Sequence, residues 1–272
     1  MFNHLTHILK STRHLVAAGL SAALALSAAP VQWALIAYYD FETSSISGGS
    51  LVNQQNPGNS DGAMTDVITG QAGVFGEAFG FNAIGSLNLG GGVVTSQISG
   101  TNPWSISAWV NLGSASSASH ILYRRDAAFD GSDAEGGLRI QAGGAPQVFM
   151  QDTVANTTFL NSPVDLGIGE WTHVVGIRED APGSNWRLYL DGVEFASAGA
   201  PFSIGAASVA EIGVDLVGLM DEVRVYDHAL TQSEVSALYA AGAAATVSEP
   251  GMLAVFGLGL AAFGWARRRA VA

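Results

Sequence analysis

One acidic residue of this chain lies in an otherwise apolar strand pattern. Between residues 219 and 226 the side chains alternate, which predicts a β-strand with Leu219, Asp221, Val223 and Val225 on one face. The other face receives Met220, Glu222, Arg224 and Tyr226. A carboxylate beside valines is costly unless a cation or several hydrogen-bond donors satisfy it. Asp221 is therefore predicted to be either a metal ligand or a hydrogen-bonded structural acid.

Several other kinds of chemistry are excluded or unsupported by the sequence. The chain contains no cysteine, so disulfides, thiolate metal sites and cysteine nucleophiles are excluded. It also contains no G-x-S-x-G elbow, no zinc-binding histidine pair and no phosphate-binding loop. Export remains compatible with this composition, because a β-sandwich with an adequate core needs no disulfides.

The composition predicts one acidic, all-β domain. The 272 residues include 34 glycines but only 12% charged residues, which favours short strands joined by many turns. Residues 35–246 carry six arginines, no lysine and 22 acidic residues, a net charge of −16 with histidine neutral. Such a domain repels nucleic acid and attracts divalent cations, so nucleic acid is excluded as a partner.

Short alternating segments between glycine-rich turns predict the strands. The clearest spans residues 104–110 and places Trp104, Ile106, Ala108 and Val110 on one face. Further strands are predicted at residues 35–42, 76–81, 86–89, 120–124, 137–141, 147–151, 157–161 and 170–177. Together they predict an all-β fold, a two-sheet antiparallel jelly-roll sandwich.

The end of the domain has the strongest local signals. Asp191 and Gly192 separate two alternating segments and favour the positive φ angles of a type I′ hairpin turn. After the last strand, Thr231 and Glu234 form a capping-box pattern, and Gly242 is predicted to end the short C-terminal helix. This helix is expected to pack on the sandwich.

Two residues of the strands have both a structural and a functional interpretation. Trp109 is interpreted as a packing residue, the alternative being a sugar-stacking ring. His173 is interpreted as a structural histidine, the alternative being a ligand or base.

The first 34 residues are predicted to be a secretory signal peptide. Lys10 and Arg13 precede an apolar run at residues 15–29 and small residues near a cleavage site. The alternative is an uncleaved anchor helix.

The C-terminus is predicted to be a sorting segment, residues 249–272, after a linker at 243–248. Ser248, Glu249 and Pro250 precede an apolar run at 252–266, which is marginal for crossing a bilayer. Three arginines follow and are expected to stay cytoplasmic: Arg267, Arg268 and Arg269. The tail resembles the PEP-CTERM sorting signal of Gram-negative bacteria, although Ser248 replaces the first proline of Pro-Glu-Pro. The resemblance implies recognition by an exosortase coupled to exopolysaccharide export; a plain C-terminal anchor is the alternative.

The domain itself, residues 35–242, resembles the laminin G-like (concanavalin A-like) jelly-roll domains. The closing order Asp221-Glu222-Val223-Arg224, an apolar residue, Tyr226 and the later Ala-Leu matches the family over about ten positions. The strand at 104–110, the Trp-x-His-Val of residues 171–174, and the turn at 58–62 match other parts of the pattern. The resemblance covers nearly the whole exported part of the chain.

The resemblance implies that a calcium ion lies where the first and last strands are neighbours. Ca²⁺ takes roughly six to eight oxygen ligands, carboxylates mixed with backbone carbonyls. We expect one structural calcium with Asp221 and Glu42 as side-chain ligands, joined by Asn59 and Asp61 of the turn at 58–62.

Some relatives of this broad fold are glycosidases whose two carboxylates lie in a Glu-x-Asp-x-x-Glu spacing. This spacing is absent here, and adjacent Asp221 and Glu222 are expected to face opposite ways. We therefore expect a non-catalytic recognition or adhesion module that binds polysaccharide or a surface protein in the envelope or extracellular matrix. A structural matrix protein without a discrete ligand is the alternative, followed by a glycoside hydrolase.

Overall fold

The fold is described from a computed structural model of the chain. It describes residues 34–126, 135–151, 157–179, 185–199 and 207–246. The strands in chain order are β1 (Leu35–Tyr39), β2 (Ile46–Ser47), β3 (Ser50–Leu51), β4 (Gly62–Thr65), β5 (Ile68–Ala72), β6 (Glu77–Asn82), β7 (Ser86–Gly90), β8 (Trp104–Leu112), β9 (Ser119–Arg125), β10 (Glu135–Ile140), β11 (Pro146–Gln151), β12 (Thr157–Asn161), β13 (Trp171–Arg178), β14 (Asn185–Leu190), β15 (Val193–Gly199), β16 (Val209–Ile212) and β17 (Val217–Tyr226). The helices are α1 (Val93–Gln97) and α2 (Gln232–Thr246), with a 3₁₀ turn at Thr43–Ser45.

The strands form two antiparallel sheets, as the sequence predicts. In the eight-stranded sheet the order is β15-β14-β13-β8-β17-β6-β5, and β1 also pairs with β17. In the nine-stranded sheet the order is β12-β11-β10-β9-β16-β7-β4-β3-β2. The many pairings between strands distant in sequence are typical of a jelly-roll sandwich, so the predicted fold class is confirmed.

The main core lies between the two sheets. Trp104, Ile106, Ala108 and Val110 of β8 are all fully buried in it, which confirms the alternation predicted for this strand. Facing strands of the nine-stranded sheet contribute every second side chain, among them Leu138, Ile140, Val148, Met150 and Leu160. The side chains between them therefore point away from the core, onto the outer face of this sheet.

The hairpin between β14 and β15 turns at the predicted residues. Asp191 has a φ of 48° and Gly192 a φ of 78°, the pair of positive angles that a type I′ turn requires. Asp191 Oδ1 also accepts a hydrogen bond of 2.9 Å from the backbone amide of His173. The turn is thereby fixed to the neighbouring strand β13.

Helix α2 covers the outer face of the eight-stranded sheet, as expected, but it is longer than predicted. Thr231 N donates to the Glu234 carboxylate at its start, in agreement with the capping pattern. The helix passes Gly242 and runs to Thr246, so the prediction that Gly242 ends it was wrong. A Cβ atom at Gly242 would lie 2.4 Å from Cζ2 of Trp109, so glycine permits helix and sheet to approach closely.

Both ends of the domain are held in the eight-stranded sheet. β17 pairs along its length with β8, while β6 and β1 pair with its first and second halves. Both sheets and α2 lie between residues 34 and 246, so this segment contains a complete core and is expected to fold by itself.

Candidate functional site

Asp221 lies at an irregularity of β17 that the sequence pattern does not predict. The register between β17 and β8 shifts between Asp221 and Arg224, and Glu222 has a φ of 58°. Because one extra residue is inserted there, Met220 shares the main core with Val223 and Val225. The strict alternation predicted for residues 219–226, with Asp221 on the valine face, was therefore wrong.

The Asp221 carboxylate is fully buried and binds the turn between β5 and β6. Its Oδ2 atom accepts hydrogen bonds from the backbone amides of Val74, at 2.8 Å, and Phe75, at 3.0 Å. A Cβ atom at Gly73 would lie 2.7 Å from this oxygen, so the close approach requires glycine. Asp221 Oδ1 is buried without a hydrogen-bond partner and is the atom of this carboxylate that a cation or donor would satisfy.

The protonation of Asp221 reflects these surroundings. Burial raises the pKa of Asp221 to about 8, the amides of Phe75, Val74 and Glu222 oppose the rise, and the Glu222 carboxylate adds to it. So high a pKa means that the hydrogen bonds to the charged carboxylate do not make up for its loss of contact with water. A divalent cation at Oδ1 would supply that compensation.

Glu42, which follows β1, also contacts this turn, at its junction with β6. Glu42 Oε1 accepts a hydrogen bond of 3.0 Å from the backbone amide of Glu77, and Glu77 Oε2 accepts one of 2.8 Å from Thr43 N. A Cβ atom at Gly76 would lie 2.1 Å from Glu42 Oε1. The structure thus brings two of the four predicted calcium ligands, Glu42 and Asp221, to one four-residue turn.

Asn59 and Asp61 have their contacts in a different loop. Asp61 Oδ1 accepts hydrogen bonds from the amides of Asn53, at 2.9 Å, and Gly58, at 3.2 Å. Asn59 Oδ1 accepts one of 3.2 Å from Val93 N at the start of α1. Within the described ranges, no three His, Cys, Asp or Glu side chains form a group able to hold a metal ion. A calcium at Asp221 and Glu42 would therefore need backbone carbonyls and water as further ligands.

Glu222, beside Asp221, connects the last strand to the first. Its Oε1 atom accepts a 2.7 Å hydrogen bond from the Tyr38 hydroxyl, and Oε2 accepts one from Arg224. The Arg224 guanidinium lies over the Tyr38 ring, 4.5 Å from its centroid. Glu222 is only 3% exposed, so its carboxylate is occupied inside the domain.

Trp109 and His173 are both covered by α2. The Trp109 ring lies 5.2 Å from the His173 ring and 5.8 Å from the Tyr239 ring of the helix. His173 Nε2 is 2.8 Å from Ser107 Oγ. Burial and the charge of Arg224 lower the pKa of His173 to about 3, so the ring is neutral. The packing interpretations of both residues are confirmed.

A group of aromatic and amide side chains on the outer face of the nine-stranded sheet was not predicted from the sequence. We call it the outer strip, and it consists of Arg139, Gln147, Phe149, Phe159 and Asn161. Phe149 pairs with Phe159 and Gln147 with Asn161 across β11 and β12. The alternation of amides and aromatics in residues 147–151 and 157–161 was the signal that marks this face.

The outer strip is joined by hydrogen bonds and ring contacts. Arg139 Nε donates to Gln147 Oε1 at 2.6 Å, and the Gln147 amide contacts Asn161 Oδ1. The Arg139 guanidinium carbon is 4.3 Å from the Phe149 centroid and 5.3 Å from that of Phe159. Phe149 is 1% exposed, whereas Phe159 is 45% exposed. The strip thus presents one exposed ring beside Arg139 and Asn161, both of which are hydrogen-bonded to the buried Gln147.

Residues 1–33 of the predicted signal peptide lie outside the described residues. So do the predicted sorting residues Ser248, Glu249, Pro250, Arg267, Arg268 and Arg269. Asp130 and Asp133, part of an acidic stretch in the sequence, also lie outside them. Across the part of the chain that the structure describes, no helix combines the length and apolar character needed to cross a bilayer.

Solved structures with a similar fold include a domain of an arabinanase and structures of botulinum neurotoxins. Domain 4 of AbnA, a GH43 extracellular arabinanase from Geobacillus stearothermophilus solved with arabinotriose, is 22% identical. The match covers 76% of this chain and 98% of that one, with a TM-score of 0.55.

The binding domain of botulinum neurotoxin serotype G is 15% identical with a TM-score of 0.56; the match covers 75% of this chain and 50% of that one. A structure of botulinum neurotoxin type C, whose cell entry depends on interaction with two ganglioside molecules, is 12% identical. Its TM-score is 0.58, and the match covers 77% of this chain and 51% of that one. The chain thus spans about half the length of the toxin chains, and at these identities the likeness shows the fold alone.

Two family models match the sequence itself, while no curated protein sequence matches it. The PEP-CTERM protein-sorting motif matches residues 246–269, which indicates an exported protein with a C-terminal sorting signal. The laminin G-type model matches residues 86–236, more than half of the chain. The chain therefore belongs to the concanavalin A-like lectin/glucanases superfamily.

Proposed function

We propose that this protein is an exported, non-catalytic module that binds polysaccharide through the outer strip. The observation that carries the proposal is the exposed Phe159 ring beside Arg139, Gln147 and Asn161. Sugars present apolar C–H faces and a rim of hydroxyl groups. An aromatic ring next to preorganised amide and guanidinium groups is complementary to both features.

The membership of a lectin and glucanase superfamily supports a carbohydrate ligand, as does the arabinotriose complex of the similar arabinanase domain. The ganglioside interaction named for the type C neurotoxin points to the same ligand class. These are properties of those proteins, and they are our reason for proposing polysaccharide rather than a surface protein as the ligand of this chain.

We propose a non-catalytic module because both carboxylates of the acidic pair in β17 are held by hydrogen bonds inside the domain. Asp221 is bound to the turn at Val74 and Phe75, and Glu222 is bound to Tyr38 and Arg224. Both carboxylates are buried, at 0% and 3% exposure. Neither is placed to act as the acid or nucleophile of a glycosidase.

We further propose a structural calcium ion at Asp221 and Glu42. The unpartnered Oδ1 of Asp221 and the glycine turn that both carboxylates contact support this site. The ion would neutralise the buried carboxylate and fix the turn between β5 and β6 to the last strand. Asn59 and Asp61 are assigned to the loop that they close rather than to this ion.

The sorting motif supports a location outside the inner membrane. We propose that an exosortase-type enzyme recognises residues 246–269 and that the apolar tail anchors the chain in the inner membrane until it is processed. The mature protein would then lie in the periplasm, on the cell surface or in the extracellular matrix, where exported polysaccharide is found.

A glycan array tests the binding function directly. Residues 34–246 are applied with calcium and with a chelator, beside the variants Phe159→Ala and Phe195→Ala. Phe195 is a matched control because it is also exposed, at 39%, but belongs to β15 of the other sheet. We expect binding that Phe159→Ala abolishes and Phe195→Ala preserves. Binding to no glycan would favour a structural matrix protein, and turnover of a β-glucan would favour the hydrolase.

A further inference from the structure

A pocket of about 440 Å³ opens on the same face as the outer strip, two strands away from β11. The turn between β6 and β7 forms one wall with Ile84, and the turn between β16 and β17 forms another with Asp215. The side chains of His120, Tyr123 and Arg125 on β9 and of Glu211 on β16 also line it. Its volume is typical of small-molecule sites, which enclose roughly 300–1,000 Å³.

The pocket is continuous with the outer strip through stacked rings. His120 lies 4.3 Å from the Tyr123 ring and 5.8 Å from the Phe149 ring, measured between centroids. Tyr123 lies 6.1 Å from Phe149. A chain molecule that contacts Phe159 can therefore continue over β10 toward this pocket.

The charges that line the pocket largely compensate one another. Arg125 Nε donates to Glu211 Oε2 at 2.9 Å, which pairs the one cation of the lining with one of its two carboxylates. Burial and the charge of Arg139 lower the pKa of His120 to about 4, so its ring is neutral. Asp215 is the remaining charged group of the lining, which therefore carries one net negative charge. The whole chain is also acidic, with a net charge of −12.

We propose that this pocket is a subsite for a sugar unit without an anionic group, a proposal that rests on the function proposed above. The paired carboxylate and guanidinium offer acceptors and donors to hydroxyl groups, and Ile84 offers an apolar edge at 70% exposure. A uronate or sulfated unit is disfavoured because it would approach Asp215 and Glu211 in an acidic domain. Among the described residues of the lining, the Arg125–Glu211 pair leaves no separate cation to receive such an anion.

The pocket is tested by filling it while leaving the strip intact. Ile84→Trp places a large ring at the rim of the pocket, and Ile68→Trp is the matched control, since Ile68 is 51% exposed on β5 of the other sheet. Residues 34–246 are titrated by calorimetry with the tightest neutral glycan from the array. We expect Ile84→Trp to weaken binding at least about tenfold and Ile68→Trp to change it less than about twofold. Equal melting temperatures of the two variants verify that both fold.

Selectivity provides the second readout. Glucose and glucuronic acid oligosaccharides of one linkage are compared, and we expect the glucose chain to bind at least about tenfold tighter than the glucuronic acid chain. The variant Asp215→Asn should reduce that preference, and asparagine tolerates the φ of 58° at this position. Tighter binding of the glucuronic acid chain, or unchanged affinity of Ile84→Trp, overturns the subsite. If Phe159→Ala abolishes binding while Ile84→Trp does not, only the subsite fails; if no glycan binds, the proposed function fails with it.

Discussion

Glu42 and Asp221, near opposite ends of the domain, accept hydrogen bonds from the two sides of one turn. Asp221 Oδ2 accepts hydrogen bonds from the backbone amides of Val74 and Phe75, and Glu42 Oε1 accepts one from the backbone amide of Glu77. The turn thus connects the first strand, the last strand and β6. Whatever satisfies the remaining oxygen of Asp221 also stabilises that connection.

Calcium is expected to raise the melting temperature of residues 34–246. The ion would compensate the buried Asp221 carboxylate, and a ligand that binds only the folded state stabilises it by about 2.7 kcal/mol at a hundredfold excess over its dissociation constant. Differential scanning fluorimetry with calcium and with a chelator measures the shift. An unchanged melting temperature would contradict the calcium proposal.

Two variants separate the ligands from the loop residues. Asp221→Asn should lose the response to calcium. Asp61→Asn should lower the melting temperature by the same amount in calcium and in chelator, because Asp61 accepts hydrogen bonds from Asn53 and Gly58 in another loop. A calcium response that Asp61→Asn removes would place Asp61 among the ligands.

Gly242→Ala is expected to destabilise the domain although alanine is the better helix former. The substitution gains about 1 kcal/mol of helix propensity, but its methyl group would meet the Trp109 ring at 2.4 Å. Overpacking of this kind typically costs about 1–3 kcal/mol, and the fixed ring leaves little room for relaxation. Urea unfolding measures the difference. The neighbouring exposed Ala241→Ser is the control and should be nearly neutral; a stabilised Gly242→Ala would show that α2 does not press on Trp109.

Most of the longer strands, the hairpin at Asp191 and the sandwich architecture follow from local sequence patterns, whereas β2 to β5 and β16 were not predicted. The alternation in β8 and the turn chemistry are set by neighbouring residues, so they can be read without knowledge of the fold. The role of Gly242 was predicted wrongly because it depends on a residue that is distant in the sequence. A glycine inside a helix and a glycine that ends one look alike in sequence, and the Trp109 ring that decides between them lies on a distant strand.

The candidate site was predicted only in part, because its contacts are made by backbone groups. The pairing of β1 with β17 was foreseen as the condition for Glu42 and Asp221 to meet. Their partners are backbone amides within residues 74–77, and a backbone contact cannot be recognised from the residue types. The bulge at Glu222 was likewise hidden, since a single extra residue in a strand leaves the composition unchanged.

Tyr38 and Glu222 are expected to be energetically coupled. The Tyr38 hydroxyl donates to the buried Glu222 carboxylate at 2.7 Å, and hydrogen bonds to charged groups contribute about 1.5–3 kcal/mol. A double-mutant cycle of Tyr38→Phe and Glu222→Gln should give a coupling of about 1 kcal/mol or more in urea unfolding. Tyr38→Phe combined with Glu194→Gln, on the distant strand β15, should be additive within about 0.5 kcal/mol. Additivity in the first cycle as well would show that the Tyr38–Glu222 hydrogen bond does not stabilise the junction of the first and last strands.

His173 is expected to make the domain less stable as the pH falls below about 6.5. Its pKa is about 3 in the folded domain and 6.5 in the unfolded chain, because burial disfavours the charged ring. Between these values the unfolded chain binds the additional proton, so acid favours unfolding. The loss should reach about 1.4 kcal/mol per pH unit, or about 2 kcal/mol from pH 6.5 to pH 5. His173→Gln removes the titrating group, so the slope of unfolding free energy against pH should be smaller for the variant than for the natural chain over this interval. Equal slopes would mean that the ring is protonated between Trp109 and Tyr239, which would contradict its assignment as a neutral packing residue.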